Sequence, residues 1–384
     1  MKVLLNAASI REGGSRVVLR ELVAGMAEQR NDVEWLVAAH AAVASDLPRN
    51  PRIGLIEPGR MGSGSEVLRW YERDLPRAVR ERRVDAVFSI TNYLPLRPLA
   101  CPTVLLIQHA GHFSEEFDRL QRDHLAGPVQ RLAWDMKSRW VRRSARAATI
   151  LTVQTRALAD AIARQTGRPR HEIRVVPHGP GAVSPMLRRA RRGGATTRIG
   201  YVAKWGVQKN FAVLLDAMHR LRSQGRDVCL VLTLDSGHAD NRRLLERAQH
   251  MGLGGVIENH GELGPEAVSQ LYATLDMFVF PTLVESFGYP MLEAMACGLP
   301  LLAAETASNR EVAGNGGRYF QPHDESQLAG AIASWIVDEE DRTRAGAAAF
   351  ERAREFSWQR AARETLALIE AAMGQGRTAR EAAA

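Results

Sequence analysis

Short apolar runs typical of β-strands alternate with longer helical patterns along most of the chain, and this alternation limits the fold more than any other feature. The strand-type runs cover residues 3–7, 33–38, 84–90, 103–108, 149–153, 173–177, 199–203, 228–234, 256–260, 277–281 and 299–304. The helical patterns include residues 15–29, 129–147, 210–224 and 289–297. Such alternation predicts α/β architecture, with parallel sheets that carry helices on both faces.

Length and one irregular segment divide the chain. Its 384 residues exceed what one hydrophobic core usually serves. Residues 180–195 are rich in proline, glycine and arginine and lack an apolar period, as a linker does. We predict doubly wound, Rossmann-like domains at residues 1–180 and 198–355, a linker at 181–197, and a C-terminal helix at 356–384 that frays from Gly374. Ligands bind beyond the carboxyl ends of such strands, so a cleft between two facing domains is the expected active site.

Composition favours a globular protein of the cytoplasm. Hydrophobic residues make up 45% of the chain, and no apolar run reaches the ~18–20 residues of a membrane helix. The first residues fit a strand better than a secretion signal. Cys101, Cys229 and Cys297 lie in or beside apolar segments without metal-ligand spacing, so we expect buried free thiols in a reducing compartment.

The chain is basic, with a net charge of +8 and basic clusters at residues 80–83, 139–146 and 188–192. These clusters fit solvated helix faces and a charged linker. They also fit attraction of an anionic substrate, or a peripheral contact with the inner face of an anionic membrane. Nucleic-acid binding is not expected, because no zinc finger or ribonucleoprotein-type motif is present and no aromatic residues interleave with the basic ones.

One segment combines a strand, a glutamate-bearing loop and a helix start. The predicted strand ends at Pro281, Glu285 and Gly288 follow in the loop, and Glu293 lies about one turn into the next helix. Glycine lets backbone N–H groups approach a ligand, and the helix N-terminus attracts phosphate. Glu285 can accept from sugar hydroxyls and Glu293 from a ribose diol. Taken singly, the two acids also fit a solvent-facing loop and a helix surface.

Two lysines follow the first strand of the second domain. Lys204 and Lys209 lie at the turn between this strand and the next helix. Fixed cations at such a turn can hold a phosphate group and stabilise negative charge that develops on it in a transition state. Two surface lysines near a turn are the plain structural interpretation.

The segment from Glu285 to Glu293 resembles the E-x7-E motif of retaining glycosyltransferase family 4 (glycosyltransferase group 1), which has the two-domain GT-B fold. The likeness continues in chain order through Gly13-Gly14-Ser15, residues 199–211 with Lys204 and Lys209, residues 271–281, Ser308-Asn-Arg-Glu311-Val and Phe356-Ser-Trp358. Family members more often have Arg where Lys204 stands, and Lys binds phosphate as a point charge without the bidentate fork of Arg.

The resemblance implies a nucleoside-diphosphate sugar as donor and a hydroxyl-bearing acceptor, without metal or other cofactor; no Asp-x-Asp motif is present. It implies catalytic roles for Glu285, Lys204, Lys209 and His109, and donor binding by Gly13, Gly14, Ser15, Ser286, Phe287, Gly288 and Glu293. It also implies same-face substitution, in which the leaving phosphate helps to deprotonate the acceptor. The last helix is expected to cross back to the N-terminal domain.

The resemblance also implies that a residue just after the fourth predicted strand contacts the donor sugar or the acceptor, and two histidines lie there. His109 is our first choice and His112 the second, since His can donate to a sugar hydroxyl or carry a proton near neutral pH. A loop histidine without a role is the alternative. His178, at the start of the linker, is interpreted as structural.

Other functions remain open at this point. The same scaffold serves nucleotide-sugar 2-epimerases and glycogen-phosphorylase-like enzymes, although the pyridoxal-binding lysine context of the latter is not seen. An inactive sugar-binding or scaffolding protein is a further alternative, which the intact set of two glutamates and two lysines disfavours. The acceptor is undetermined and includes lipid-linked sugars, polysaccharide ends and small natural products.

Overall fold

The computed structural model describes residues 1–11, 13–181 and 196–381, with side chains up to residue 376. The basic cluster at 188–192 and most of the predicted linker lie outside the described residues. The chain forms two compact units. Unit 1 contains Met1–Asp118, Leu125–Gly179 and Ser357–Ala384, and unit 2 contains Arg119–His124 and Pro180–Phe356.

Unit 1 is built on a seven-stranded parallel sheet. Its strands are β1 (Lys2–Asn6), β2 (Glu34–Ala38), β3 (Ile53–Ile56), β4 (Ala86–Ser89), β5 (Thr103–Leu106), β6 (Ile150–Val153) and β7 (Ile173–Val175). Its helices are α1 (Gly14–Gln29), α2 (Ala41–Ala44), α3 (Gly64–Arg69), α4 (Leu75–Glu81), α5 (Glu115–His124), α6 (Pro128–Ala147) and α7 (Arg156–Thr166), with a π-helical turn at Trp70–Asp74. The residues of α5 from Arg119 onward belong to unit 2. The spatial order is β3-β2-β1-β4-β5-β6-β7. Strand β3 escapes prediction because its four residues include Gly54 and lie half-exposed at the sheet edge.

Unit 2 has a six-stranded parallel sheet. Its strands are β8 (Thr197–Tyr201), β9 (Val228–Leu232), β10 (Ile257–Asn259), β11 (Met277–Phe280), β12 (Leu301–Ala304) and β13 (Gly317–Phe320). Its helices are α8 (Phe211–Ser223), α9 (Ala239–His250), α10 (Pro265–Ala273), α11 (Tyr289–Ala296), α12 (Ala307–Ala313), α13 (Glu325–Val337) and α14 (Glu339–Ala353). The order is β10-β9-β8-β11-β12-β13, so the doubly wound prediction is confirmed for both sheets.

Each sheet has one point at which the chain reverses its direction of winding. In unit 1 this point lies between β1 and β4, and in unit 2 it lies between β8 and β11. Loops that follow the two strands at such a point diverge to opposite faces and leave a crevice, where ligands bind. The loops after β8 and β11 carry the lysines and Glu285. The strand order alone therefore selects these residues in unit 2.

The last helix, α15 (Trp358–Glu381), belongs to unit 1 and packs on α1. Gly25 permits close approach, since a Cβ there would lie 2.6 Å from the Cβ of Ala362. The predicted return of this helix to the N-terminal domain is confirmed. The predicted fray from Gly374 is wrong as far as Glu381, because the helix continues; residues 382–384 lie outside the described residues.

Each unit has a hydrophobic core of its own, formed by apolar strands and the inner faces of the helices. The three cysteines are thiols rather than disulfides. Cys101 and Cys297 are buried, as predicted, whereas Cys229 is only half-buried and its Sγ lies 3.8 Å from Oε2 of Glu258. Within the described residues, no helix combines the length and apolar character needed to cross a membrane.

Candidate functional site

Hydrogen bonds hold the loops after β8 and β11 together. The Leu283 N–H donates to the Gln208 carbonyl at 2.9 Å. The Tyr201 hydroxyl donates to the Lys209 carbonyl at 3.1 Å and lies 2.9 Å from the buried Thr282 Oγ1. Because the first bond joins the two backbones directly and the Tyr201 side chain contacts both loops, the side chains that the two loops present have a defined separation.

Asn210 extends this connection to a third loop. Its backbone is left-handed, with φ of 52°, which asparagine tolerates better than most residues. Its Nδ2 donates to the carbonyls of Pro281 and Pro322, at 3.2 and 2.6 Å. Asn309 adds a similar link by donating to the Thr282 carbonyl at 3.1 Å. Both asparagines lie in segments that carry the family resemblance, but the motifs did not assign them this role, because each acts through the backbone of another segment.

Lys209 and Glu285 form an ion pair. The Nζ of Lys209 lies 2.5 Å from Oε1 of Glu285, and the side chains are only 15% and 16% exposed. Water therefore screens the two charges less than at an open surface. The predicted cation and the predicted sugar-orienting acid thus meet in one contact, and each balances the charge of the other.

Lys204 lies in a different environment. Its Nζ lies 2.7 Å from Oε1 of Glu262, on the loop after β10, and about half of each side chain is exposed. An ion pair this open contributes little to stability. Lys204 is therefore available to exchange its carboxylate partner for an incoming anion at little cost.

The start of α11 combines a left-handed glycine with a buried aromatic ring. Gly288 precedes the helix in a left-handed conformation, with φ of 86° and ψ of 57°, that suits glycine. Ser286 is half-buried, whereas the Phe287 ring is 1% exposed and packs against Tyr289 and Phe356. Phe287 can therefore meet a donor only through its backbone, since its ring anchors the loop in the core.

Glu293 is enclosed rather than placed on a helix surface. The Tyr272 hydroxyl lies 3.0 Å from its Oε2, and burial raises the pKa of the carboxyl from 4.5 to about 7, partly opposed by this hydrogen bond. The surface interpretation of this acid is wrong. A carboxyl that titrates near neutral pH can be ionised by a ligand that donates hydrogen bonds to it.

Gly181 forms part of the enclosure around Glu293, a role that the linker prediction did not anticipate. A Cβ at Gly181 would lie 1.7 Å from Oε1 of Glu293 and 2.7 Å from its Cδ. Contacts this short are forbidden, so any larger residue must displace the carboxyl. The residue just before the undescribed segment therefore fixes the position of an acid far along the chain.

We expect Gly181→Ala to weaken nucleoside diphosphate binding about tenfold, because the displaced carboxyl loses a charge-assisted hydrogen bond. Isothermal titration measures the effect. Gly330→Ala is the matched control, since a Cβ there meets nothing within 4 Å. Equal affinities of the Gly181 variant and the wild type would contradict this role.

The glycine loop of unit 1 presents an open helix start. Gly13 has φ of 72° and precedes α1, and a Cβ there would meet nothing within 4 Å. Gly13 and Gly14 are exposed and Ser15 is half-buried. The free N–H groups of this helix start suit an anion, and the assignment of these residues to the donor stays a prediction.

The two candidate histidines of unit 1 differ in exposure. His109 is exposed, and its Nδ1 accepts from the Gly111 N–H at 3.2 Å. The neutral ring therefore carries its proton on Nε2, so that it can donate to a hydroxyl. Asn92, which sequence reasoning missed, accepts from the backbone N–H of His109 at 3.2 Å.

His112 is buried and lies 3.0 Å from Ser138, stacked on Trp134. Burial, with nearby positive charges, lowers the pKa of His112 to about 2, which leaves its ring neutral and structural. His178 is likewise buried, against Trp358, with its pKa lowered to about 3, in keeping with a structural role. Of the three histidines, His109 alone is solvent-exposed.

Comparison with known families gives one match in each half of the chain. Residues 12–180 match the family model described as Glycosyltransferase Family 4, and residues 190–352 match the model described as Glycosyl transferases group 1. The O-antigen chain mannosyltransferase B of Escherichia coli is 29% identical over 50% of this chain and 50% of its own length. The MMP alpha-(1->4)-mannosyltransferase of Mycolicibacterium hassiacum is 27% identical over 74% of this chain and 69% of its own. The chain spans half the length of the first of these relatives.

Solved structures show the same architecture. A sucrose-phosphate synthase from Thermosynechococcus elongatus has a TM-score of 0.73, with 17% identity over all of both chains. The Anabaena protein HepE, in complex with UDP and glucose, has a TM-score of 0.71, with 18% identity over 97% of this chain and all of its own. At such identities the likeness establishes the fold alone.

Two parallel α/β units, with charged loops at the switch point of the second, define a protein of the GT-B fold. The two family models together match most of the chain, residues 12–180 and 190–352. The chain belongs to glycosyltransferase family 4.

Proposed function

We propose that this protein transfers a sugar, with retention, from a nucleoside-diphosphate sugar to an acceptor hydroxyl. The observation that carries the proposal is the largely buried Lys209–Glu285 pair at the switch point of unit 2, with the enclosed Glu293 in the helix that follows. The solved relative with bound UDP and glucose supports the choice of donor class. The mannosyltransferases among the relatives support hexosyl transfer.

In this mechanism Lys209 serves two partners. Its ammonium group has three N–H donors, so it can hold Glu285 and still donate to a phosphate oxygen. Charge that develops on the leaving diphosphate strengthens the second contact in the transition state, which is the condition for catalysis. Glu285 accepts from sugar hydroxyls and orients the ring, and Lys204 adds a second cation at the diphosphate.

The remaining roles follow from position. Backbone N–H groups of residues 286–288 and the start of α11 hold the phosphates, and Glu293 accepts from the ribose diol. The glycines Gly13 and Gly14 and Ser15 offer a further phosphate contact, and His109 donates from Nε2 to a substrate hydroxyl. The leaving phosphate takes the acceptor proton, so that attack occurs on the face from which the donor leaves. No metal or other cofactor has a role in these steps.

A donor screen by isothermal titration tests this proposal. UDP, GDP, dTDP and ADP are titrated with and without a chelator, and nucleoside diphosphate release from the matching nucleotide sugar is then followed. We expect one nucleotide to bind regardless of chelator. Absence of binding by all four would overturn the proposal, and release of epimerised free sugar without acceptor would replace transfer by epimerisation.

The cellular site proposed for the protein is the cytoplasm, with a peripheral contact at an anionic membrane. The basic cluster at residues 139–146, which supports this contact, lies on the described helix α6. The acceptor would then be carried on, or reach the enzyme from, the bilayer surface.

A further inference from the structure

Helix α6 presents large apolar side chains to solvent. Val129, Leu132 and Met136 are 78%, 57% and 61% exposed. The buried residues of the same helix lie on its opposite side and are Ser138, Val141, Ser144 and Ala145. Isolated exposed apolar residues are common on protein surfaces, but a row on one helix is not. We call Val129, Leu132 and Met136 the apolar row.

Arginines extend the apolar row along the same side of the helix. The positions 129, 132, 136, 139 and 143 follow steps of three, four, three and four residues, which keeps them on one face. Arg139 and Arg143 occupy the last two positions and are exposed. Arg143 also donates to the carbonyl of Leu96 at 2.5 Å, and the Leu96 side chain is 40% exposed beside it.

The charge of α6 is strongly one-sided. Asp135 is its single acidic residue, against six basic ones: Arg131, Lys137, Arg139, Arg142, Arg143 and Arg146. Arg131, Arg139 and Arg146 are exposed. A helix that combines exposed apolar side chains with such an excess of arginine matches the interfacial helices that lie in the plane of an anionic membrane.

We propose that this face of α6 binds the surface of an anionic lipid bilayer. The apolar row enters the boundary between headgroups and acyl chains, while Arg139, Arg143 and Arg146 contact lipid phosphates. This contact would bring the proposed glycosyltransferase to the membrane surface. Lipid binding itself does not depend on that activity; only the purpose assigned to the binding rests on the proposed function.

A second copy of the chain fits this face poorly. Two-fold packing of α6 against itself, in antiparallel orientation, would press Arg139 and Arg143 against the apolar row of the other copy and bury guanidinium groups without a counter-charge. Parallel packing would set arginine against arginine. Lipid headgroups, by contrast, supply the anions that the arginines need.

Vesicle sedimentation of the full chain tests the contact. Vesicles of phosphatidylcholine alone are compared with vesicles that also contain phosphatidylglycerol, at low and raised salt. We expect binding to the anionic vesicles only, weakened by salt because the charges are exposed. Leu132→Asp and Arg139→Glu should each weaken it on the order of tenfold.

Two variants serve as matched controls. Val337→Asp replaces an exposed apolar side chain of unit 2, 72% exposed against 57% for Leu132, and Arg222→Glu reverses an exposed charge on α8. Both should leave vesicle binding unchanged. Nucleotide titration of all four variants should match the wild type, which separates loss of the lipid contact from loss of the proposed function or of the fold.

Three results would overturn the proposal. These are equal binding to neutral and anionic vesicles, unchanged binding of both α6 variants, and a wild-type dimer that Leu132→Asp converts to a monomer. The last result, measured by light scattering, would assign the face to a second copy of the chain.

Discussion

Lys209→Met should lower turnover by about 10²- to 10³-fold, the loss typical when one stabiliser of developing negative charge is removed. The same change should lower the free energy of unfolding by about 3 kcal/mol, because Glu285 is left as a largely buried charge without its partner. Turnover is measured as nucleoside diphosphate release, and stability by urea denaturation.

A double-mutant cycle separates the two effects. The Glu285→Gln variant should lose a similar amount of stability and should not transfer sugar. The double variant Lys209→Met/Glu285→Gln should regain most of the lost stability without regaining activity. Lys204→Met is the comparison variant, since its half-exposed pair with Glu262 should leave stability almost unchanged while turnover falls. Wild-type turnover in the Lys209 variant would remove this residue from the catalytic set.

Glu293 should make both stability and nucleotide affinity depend on pH near neutrality. Its folded pKa, about 7, exceeds the ordinary 4.5, so the folded protein holds a proton that the unfolded chain releases. Stability should therefore fall as pH rises from about 5 to 7, by about 3 kcal/mol from this group. Urea denaturation of wild type and Glu293→Gln across this range isolates the contribution.

The comparison with Glu293→Gln is needed because two buried histidines act in the opposite direction. The pKa values of His112 and His178 are lowered in the folded protein, so their contribution grows as pH rises through about 6.5, the pKa of unfolded histidine. The variant keeps both histidines and loses only the carboxyl. Identical pH profiles for the two proteins would contradict the burial of this acid.

Nucleotide affinity should change with pH in the opposite direction to stability. Ribose hydroxyls donate to an ionised carboxylate, so binding should release protons near pH 6.5 and tighten as pH rises through about 7. Glu293→Ala should weaken binding about 10- to 100-fold, the range for a hydrogen bond to a charged group. Calorimetry in buffers of different ionisation enthalpy counts the released protons; no release in wild type would exclude the ribose contact.

Periodic patterns predicted the secondary structure well where burial is complete. Strands such as β1, β9 and β11 are continuous apolar runs because both faces of a doubly wound sheet are covered. The edge strands β3 and β13 were missed, since a half-exposed edge tolerates glycine and polar residues. The helical continuation of α15 past Gly374 was missed because two nearby glycines suggest an end.

The residues of the candidate site also differ in whether the sequence predicted them. Glu285, Lys209 and Glu293 were selected because each lies at a strand-loop-helix turn that leaves a local pattern. The roles of Gly181, Tyr272 and Asn210 were not predicted, since each acts on a segment distant in sequence: on Glu293 in the first two cases and on Pro281 in the third.

The alternation of strands and helices, and the segment from Glu285 to Glu293, were determined by the sequence alone, because short-range periodicity and turn chemistry are local properties. The direct contact of Lys209 with Glu285, the enclosure of Glu293 and the exposure of the apolar row were decided only by the tertiary structure. Each depends on which surfaces the folded chain covers, and burial, which sets the strength of a charge pair and the pKa of an acid, is not a local property of the sequence.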